Sequence, residues 1–185
     1  MQQQTSHWVF GYGSLIWKPG FDYVRAVPAL LPGAHRSLCI YSHRHRGTPE
    51  RPGLVFGLMP GGSCRGMAFE IEPGRWDEVH GYLREREMDR GVYREAQRAV
   101  RLASGDGAVR ALAFMVDVRH VQYAGRLALA EQVRLVRAGV GESGPNYEYV
   151  LATARHLEQL GINDKALSAL VRALHGADAA IADSD

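Results

Sequence analysis

Apolar and polar positions change period along this chain, and the change separates strand-like from helix-like parts. Val9-Phe10, Val27 to Leu31, Ser37 to Tyr41, Leu54 to Met59 and Cys64 to Ile71 are short apolar runs bounded by glycine and proline, the pattern of strands. Pro28 favours an edge or a bulge within its run. Pro32-Gly33 separates the second run from the third, and Pro60-Gly61-Gly62-Ser63 reads as a hairpin turn. The period then lengthens. Pro73 to about Glu87 reads as a helix, with proline in the first turn and Trp76, Val79, His80 and Leu83 at helical spacing. Tyr93 to Leu102 and Ala108 to Asp117 form a second strand pair around Ser104-Gly105-Asp106-Gly107. Arg126 to Ala138, Asn146 to Leu160 and Asp164 to Leu174 carry apolar residues three and four apart, as helices do. Asn146 suits an N-cap, Gly161 a C-terminal stop, and Asn163 or Asp164 the next cap. Strands, one helix, two strands and three helices in that order predict an α+β fold with a mostly antiparallel sheet.

With 185 residues and 46% apolar content, the chain is long enough for one well-buried core and short for two. One domain is expected, flanked by disordered tails at 1–6 and, small and acidic, at 176–185. No apolar run is long enough to cross a bilayer, and Met1 to Ser6 lacks the regions of a signal peptide, so a cytoplasmic protein without a membrane partner is expected. Cys39 and Cys64 are the only cysteines and lack CxxC spacing, which argues against a disulfide framework or a zinc site. A formal net charge of +2, with the basic residues scattered, gives no ground for a nucleic-acid partner.

Three stretches carry candidate chemistry. Trp8 to Trp17 is a strand-like run that breaks into Gly11-Tyr12-Gly13-Ser14 and turns apolar again. Glycines there let successive N–H groups converge on a carboxylate, a phosphate or a polarised carbonyl oxygen. A dinucleotide fingerprint would need a third glycine and an immediate helix. A hydrolase elbow would need glycine where Ile16 stands, so Ser14 is a poor nucleophile; a plain glycine turn is the remaining alternative. Ser42 to Gly53 is a polar loop of a length more often functional than idle. His43 and His45 alternate within it, but no third ligand lies nearby, and no metal is expected. Third, Glu87 projects into the arc set by Trp76, Val79 and Leu83, with Arg84 and Arg86 flanking it and Glu85 pointing away. The competing account is a structural ion pair with Arg86 or Arg90. Glu78 and Glu85 are the rival carboxylates.

Val9 to Trp17, His45 to Gly53, Arg86-Glu87 with Gly91-Val92-Tyr93, and Ser143 to Tyr149 stand in the order of the motifs of a known family. Over roughly residues 8 to 175 the chain resembles the ChaC-type γ-glutamylcyclotransferases, which cleave glutathione. The resemblance implies one domain over residues 7–175, built as a small closed or nearly closed β-barrel with helices packed round it. It also implies a reaction without metal or cofactor, in which the α-amine of a γ-glutamyl group attacks its own γ-carbonyl and releases 5-oxoproline. Residue by residue, it places the catalytic carboxylate at Glu87 and the cradle of the γ-glutamyl head at Gly11, Tyr12, Gly13, Ser14, Leu15 and Ile16. Tyr149 lines the pocket on this view or is plain core, and Arg46 with Ser42 contacts the far end of the substrate or merely solvates a loop. Valine at 92, where many members have glycine, leaves open how the backbone turns after Glu87. A relative acting on γ-glutamylamines or γ-glutamyl amino acids would keep the loop and the glutamate, whereas a non-catalytic binding module would keep only the loop.

Overall fold

The computed structural model describes residues 6–88 and 91–182. They fall into two compact units: residues up to Ser37 with Gly57–Val121, and Leu38–Phe56 with residues from Gln122 on.

The first unit carries the barrel. Its strands are β1 (His7–Gly11), β2 (Arg25–Ser42), β3 (Gly53–Ile71), β4 (Tyr93–Leu102) and β5 (Ala108–Val116), closed in the order β1-β3-β2-β4-β5. The far ends of β2 and β3 belong to the second unit. β1 runs antiparallel to β3 from His7↔Ile71 to Gly11↔Met67, and β4 and β5 pair from Tyr93↔Val116 to Arg101↔Ala108. Closure uses two parallel contacts of β5, with β1 at Trp8↔Ala111 and with β3 at Leu58↔Met115. Phe10, Leu31, Leu58, Phe69, Ile71 and Phe114 are fully buried. Beside the barrel, a 3-10 turn at Pro73–Arg75 leads into α1 (Trp76–Met88), which buries Val79 and Leu83.

Two expected chain reversals are absent. Pro32-Gly33 lies inside the continuous 18-residue β2, and Pro60 to Ser63 lies inside the 19-residue β3 rather than forming a hairpin turn. Gly33 (φ 79°), Gly61 (φ 92°) and Gly62 (φ 68°) take left-handed backbone there, and the His35 ring nitrogen lies 2.9 Å from the Gly61 carbonyl oxygen. The glycines bend two long paired strands where the barrel needs curvature, so a turn-like composition marks a bend.

The second unit adds α2 (Leu129–Ala138), the short strands β6 (Val140–Gly141) and β7 (Gly144–Pro145), α3 (Asn146–Gln159) and α4 (Lys165–Ala182). Ile40, Leu54, Val136, Leu157, Leu170 and Leu174 are buried in it. α2 starts at Leu129 rather than Arg126, and the Gln132 side-chain amide donates to the Leu127 carbonyl ahead of the first turn. Gly161 (φ 66°) ends α3, and Asp164 caps α4 by accepting the Leu167 N–H at 3.1 Å. α4 continues past Gly176 to Ala182, so that part of the expected disordered tail is helical, as its alanine-rich composition favours. Residues 1–5 and 183–185 of the expected tails lie outside the described residues.

Asn146 is not the N-cap of α3; Pro145 occupies that position. The buried Asn146 amide instead pairs with both backbone groups of Leu54, accepting its N–H and donating to its carbonyl, each at 2.7 Å. Three residues on, the Tyr149 hydroxyl accepts the Phe56 N–H at 3.1 Å. α3 thus supplies hydrogen bonds to alternate residues of β3. Asn146→Ala leaves a buried donor and a buried acceptor unpaired, at about 1–3 kcal/mol each. A stability loss of about 2–6 kcal/mol is expected, read from the urea midpoint against wild type at unchanged slope.

Candidate active site

The glycine loop leaves β1 at Gly11 and becomes a 3-10 turn at Ser14–Ile16. The turn's own hydrogen bonds employ the N–H groups of Ile16, Trp17 and Lys18, which donate to the carbonyls of Gly13 and Ser14. The N–H groups ahead of them are not used by the turn's own hydrogen bonds. Two loop side chains are anchors. Tyr12 is buried and donates its hydroxyl to the Phe114 carbonyl at 3.1 Å, and Leu15 is buried against Gly11. Arg36 of β2 donates Nε to the Tyr12 carbonyl at 2.6 Å and Nη2 to the Arg65 carbonyl at 2.7 Å. Because the peptide is planar and trans, fixing the Tyr12 carbonyl also fixes the direction of the Gly13 N–H on its opposite edge.

β3 passes so close behind the loop that a methyl group at Gly66 would overlap the Gly11 carbonyl oxygen. Gly66 was not among the sequence candidates, although an isolated glycine in a strand pattern is the signal of such an approach. Arg36 left no comparable signal, since the Tyr12 and Arg65 carbonyls that it reaches are main-chain atoms far away in sequence.

Glu87 stands on α1 one turn beyond Leu83, on the face that buries Val79. Its side chain is 16% exposed, and Arg86 Nε lies 3.2 Å from its Oε1. Burial pushes the Glu87 carboxyl above the usual carboxylate range, against the opposing pull of the Arg86 guanidinium. Arg86 also donates Nη2 to the Ser14 hydroxyl at 3.0 Å and Nη1 to the Lys18 carbonyl at 2.6 Å, the Pro19 carbonyl at 3.0 Å and the Tyr82 hydroxyl at 3.0 Å. One guanidinium therefore links the helix that carries the carboxylate to the end of the glycine loop. A second contact agrees: a methyl group at Gly20 (φ 76°) would overlap the Tyr82 hydroxyl.

The rival carboxylates are elsewhere. Glu78 is exposed and paired with Arg75, and Glu85 is exposed. The departure at Val92 is accommodated because Gly91 (φ 69°) takes the left-handed backbone and Val92 does not, while Val92 is buried. Arg90, the other expected ion-pair partner of Glu87, lies outside the described residues.

Ser42, Arg46 and Tyr149 come together in the second unit. The buried Ser42 accepts the Arg46 N–H at 3.0 Å, and the Arg46 guanidinium lies 5.4 Å from the Tyr149 ring centroid and 3.2 Å from the Pro145 carbonyl. Burial lowers the Arg46 pKa, against the fields of Tyr149 and Glu148. His43 stacks on Tyr41, and His45 Nδ1 lies 3.1 Å from the Ser143 hydroxyl. Among the described residues no three His, Cys, Asp or Glu side chains gather as a metal cluster. No described helix is long and apolar enough to cross a membrane.

Among the described residues, a closed five-stranded barrel with four helices, and a largely buried carboxylate tethered to a glycine loop, define an α+β class whose structural neighbours are γ-glutamyl cyclotransferases. The chain belongs to the family described as ChaC-like protein, which it matches over residues 7–176. It is 31% identical over 164 residues to the Escherichia coli (strain K12) protein named glutathione-specific γ-glutamylcyclotransferase, covering 89% of this chain and 71% of that one. With the Danio rerio protein named glutathione-specific γ-glutamylcyclotransferase 1 it shares 34% identity over 159 residues, covering 83% and 80%. A crystal structure of a yeast γ-glutamyl cyclotransferase specific to glutathione superposes with a TM-score of 0.85 at 25% identity, covering 93% of this chain and 96% of that one.

The raised Glu87 pKa has a consequence for stability. A carboxyl that holds its proton more tightly folded than unfolded favours the native state below the unfolded pKa, and this contribution is lost as pH rises through the folded pKa. Glu87→Gln removes that loss. Its melting temperature relative to wild type is therefore expected to climb as pH rises above the usual carboxylate range, and then to level off. A mutant destabilised at neutral pH and not at acid pH would instead mark Glu87 as a structural partner of Arg86.

Proposed function

We propose that this chain is a glutathione-specific γ-glutamylcyclotransferase, a single ChaC-like domain over residues 7–175, with Glu87 as general base and general acid. The observation that carries the reading is the buried Glu87 carboxylate, tethered through Arg86 to Ser14 of the glycine loop. Membership of the ChaC-like family and the names of its relatives in bacteria and fish support the choice of substrate.

The chemistry needs little machinery. The glutamyl α-amine attacks the γ-carbonyl, forming the ring C–N bond, and Glu87 takes the proton that the amine sheds. The tetrahedral centre then collapses, the γ-carbon to cysteinyl-nitrogen bond breaks, and Glu87 returns the proton to that nitrogen, releasing Cys-Gly and 5-oxoproline. One carboxyl serves both transfers best when its pKa stands above the ordinary carboxylate value, towards the working pH. Backbone N–H groups of the glycine loop, their directions fixed by Arg36 and the packing of Gly66 against Gly11, hold the substrate oxygens as charge develops. Holding the glutamyl chain bent places amine and carbonyl within reach of each other. Ser42, Arg46 and Tyr149 carry no step in this mechanism.

Purified protein given glutathione is expected to release 5-oxoproline and Cys-Gly in equal amounts by mass spectrometry, with EDTA leaving the rate unchanged. Turnover of γ-glutamylamines but not glutathione would put the specificity with a different branch of the family. Glu87→Gln keeps the size of the side chain but cannot accept the amine proton. Single-turnover formation of 5-oxoproline is expected to fall about 10² to 10⁴-fold, or roughly 3–5.5 kcal/mol of barrier. A folded mutant within about tenfold of wild type, short of the loss a general base entails, would remove Glu87 from the mechanism.

A further inference from the structure

We infer that Arg86 is the positioning residue of this site: its single guanidinium anchors the end of the glycine loop and steers the Glu87 carboxylate. The inference rests on the cyclotransferase reading and names a residue through which Glu87 acts. A guanidinium has five N–H donors in a rigid plane. Here the two Nη groups donate to four neutral oxygens, on Ser14, Lys18, Pro19 and Tyr82, and Nε lies 3.2 Å from Oε1 of Glu87.

That division of contacts matters chemically. A bidentate arginine–carboxylate pair would strongly favour the ionised acid. The nearest approach of the two side chains, Nε to Oε1 at 3.2 Å, is an ion pair and not a hydrogen-bonded fork, so the guanidinium sets the field at the carboxylate without clamping it. Burial can then keep the carboxyl easily protonated. Several other described charges on and beside α1 pair with one another. Glu95 on β4 pairs with His80 and Arg84, and Glu78 pairs with Arg75. Among the described residues, Arg86 is the charged neighbour whose field acts on Glu87. Lysine could supply the charge but not the planar fork, since one ammonium cannot span the Ser14 hydroxyl and the Lys18 and Pro19 carbonyls as Arg86 does.

Arg86→Gln and Arg86→Lys test this, each read in two ways. One is kcat and KM for glutathione as a function of pH. The other is the ¹³C titration of the Glu87 side-chain carboxyl in ¹³C-glutamate-labelled protein, identified by its absence in Glu87→Gln. An opposite charge at this range depresses a carboxyl pKa by roughly 1–3 units. Removing it in Arg86→Gln is expected to raise the Glu87 midpoint and the acid limb of kcat/KM by about one unit, the lower end of that range. KM is expected to rise as Ser14 loses its donor. Arg86→Lys is expected to move the midpoint less while KM still rises, because charge and fork are separated. A Glu87 midpoint unmoved in folded Arg86→Gln overturns the inference. So does failure of both variants to melt cooperatively, which would make Arg86 purely structural. If wild type does not cyclise glutathione, the substrate reading fails by itself, and the carboxyl titration still decides the role of Arg86.

Discussion

Burying a carboxylate away from water costs free energy unless its surroundings replace the lost solvation, and the first unit is organised around how far Glu87 is compensated. Full compensation by a bidentate arginine would leave it permanently ionised, and none would make it a permanent acid. The structure sits between these limits. Glu87 is largely buried on the apolar face of α1, with one contact to a guanidinium that is otherwise engaged. The four neutral acceptors of Arg86 share its donors, and they also tie the segment from Ser14 to Pro19 to the helix.

The other side of the site is backbone, and its accuracy comes from close packing. Gly66 lets β3 approach the Gly11 carbonyl, Tyr12 hangs from the Phe114 carbonyl, and Arg36 holds the Tyr12 carbonyl from β2. Each tie reaches a different strand of the barrel, so loop geometry and barrel closure are coupled. The long strands serve that closure through left-handed glycines that curve them without ending them. In the second unit the same economy recurs, as the Asn146 amide satisfies both backbone groups of Leu54.

Much of this was legible in the sequence because it follows from local pattern. The change from strand-like runs to helical spacing, the bounds of β4, the apolar face of α1 and the anomalous carboxylate on it all depend on residues a few positions apart. Their period reports directly on which side meets the core. Asp164 and Gly161 marked their helix ends for the same local reason. The four ordered motifs pointed to the family for which the match over residues 7–176 stands.

Other features required the tertiary structure, because they depend on which distant atom a group meets. Pro-Gly composition is compatible with a reversal and with a bend, and only the pairing of β2 with β3 makes Gly33, Gly61 and Gly62 bends. Asn146 carries the chemistry of a cap, but the nearby main chain of Leu54 claimed both its polar atoms. Arg86 and Glu87 are neighbours in any reading. That the arginine gives three contacts to neutral oxygens of Ser14, Lys18 and Pro19 is set by chain segments 67 to 72 residues apart meeting in space. Sequence order alone does not encode that meeting, because it arises from packing of the whole fold.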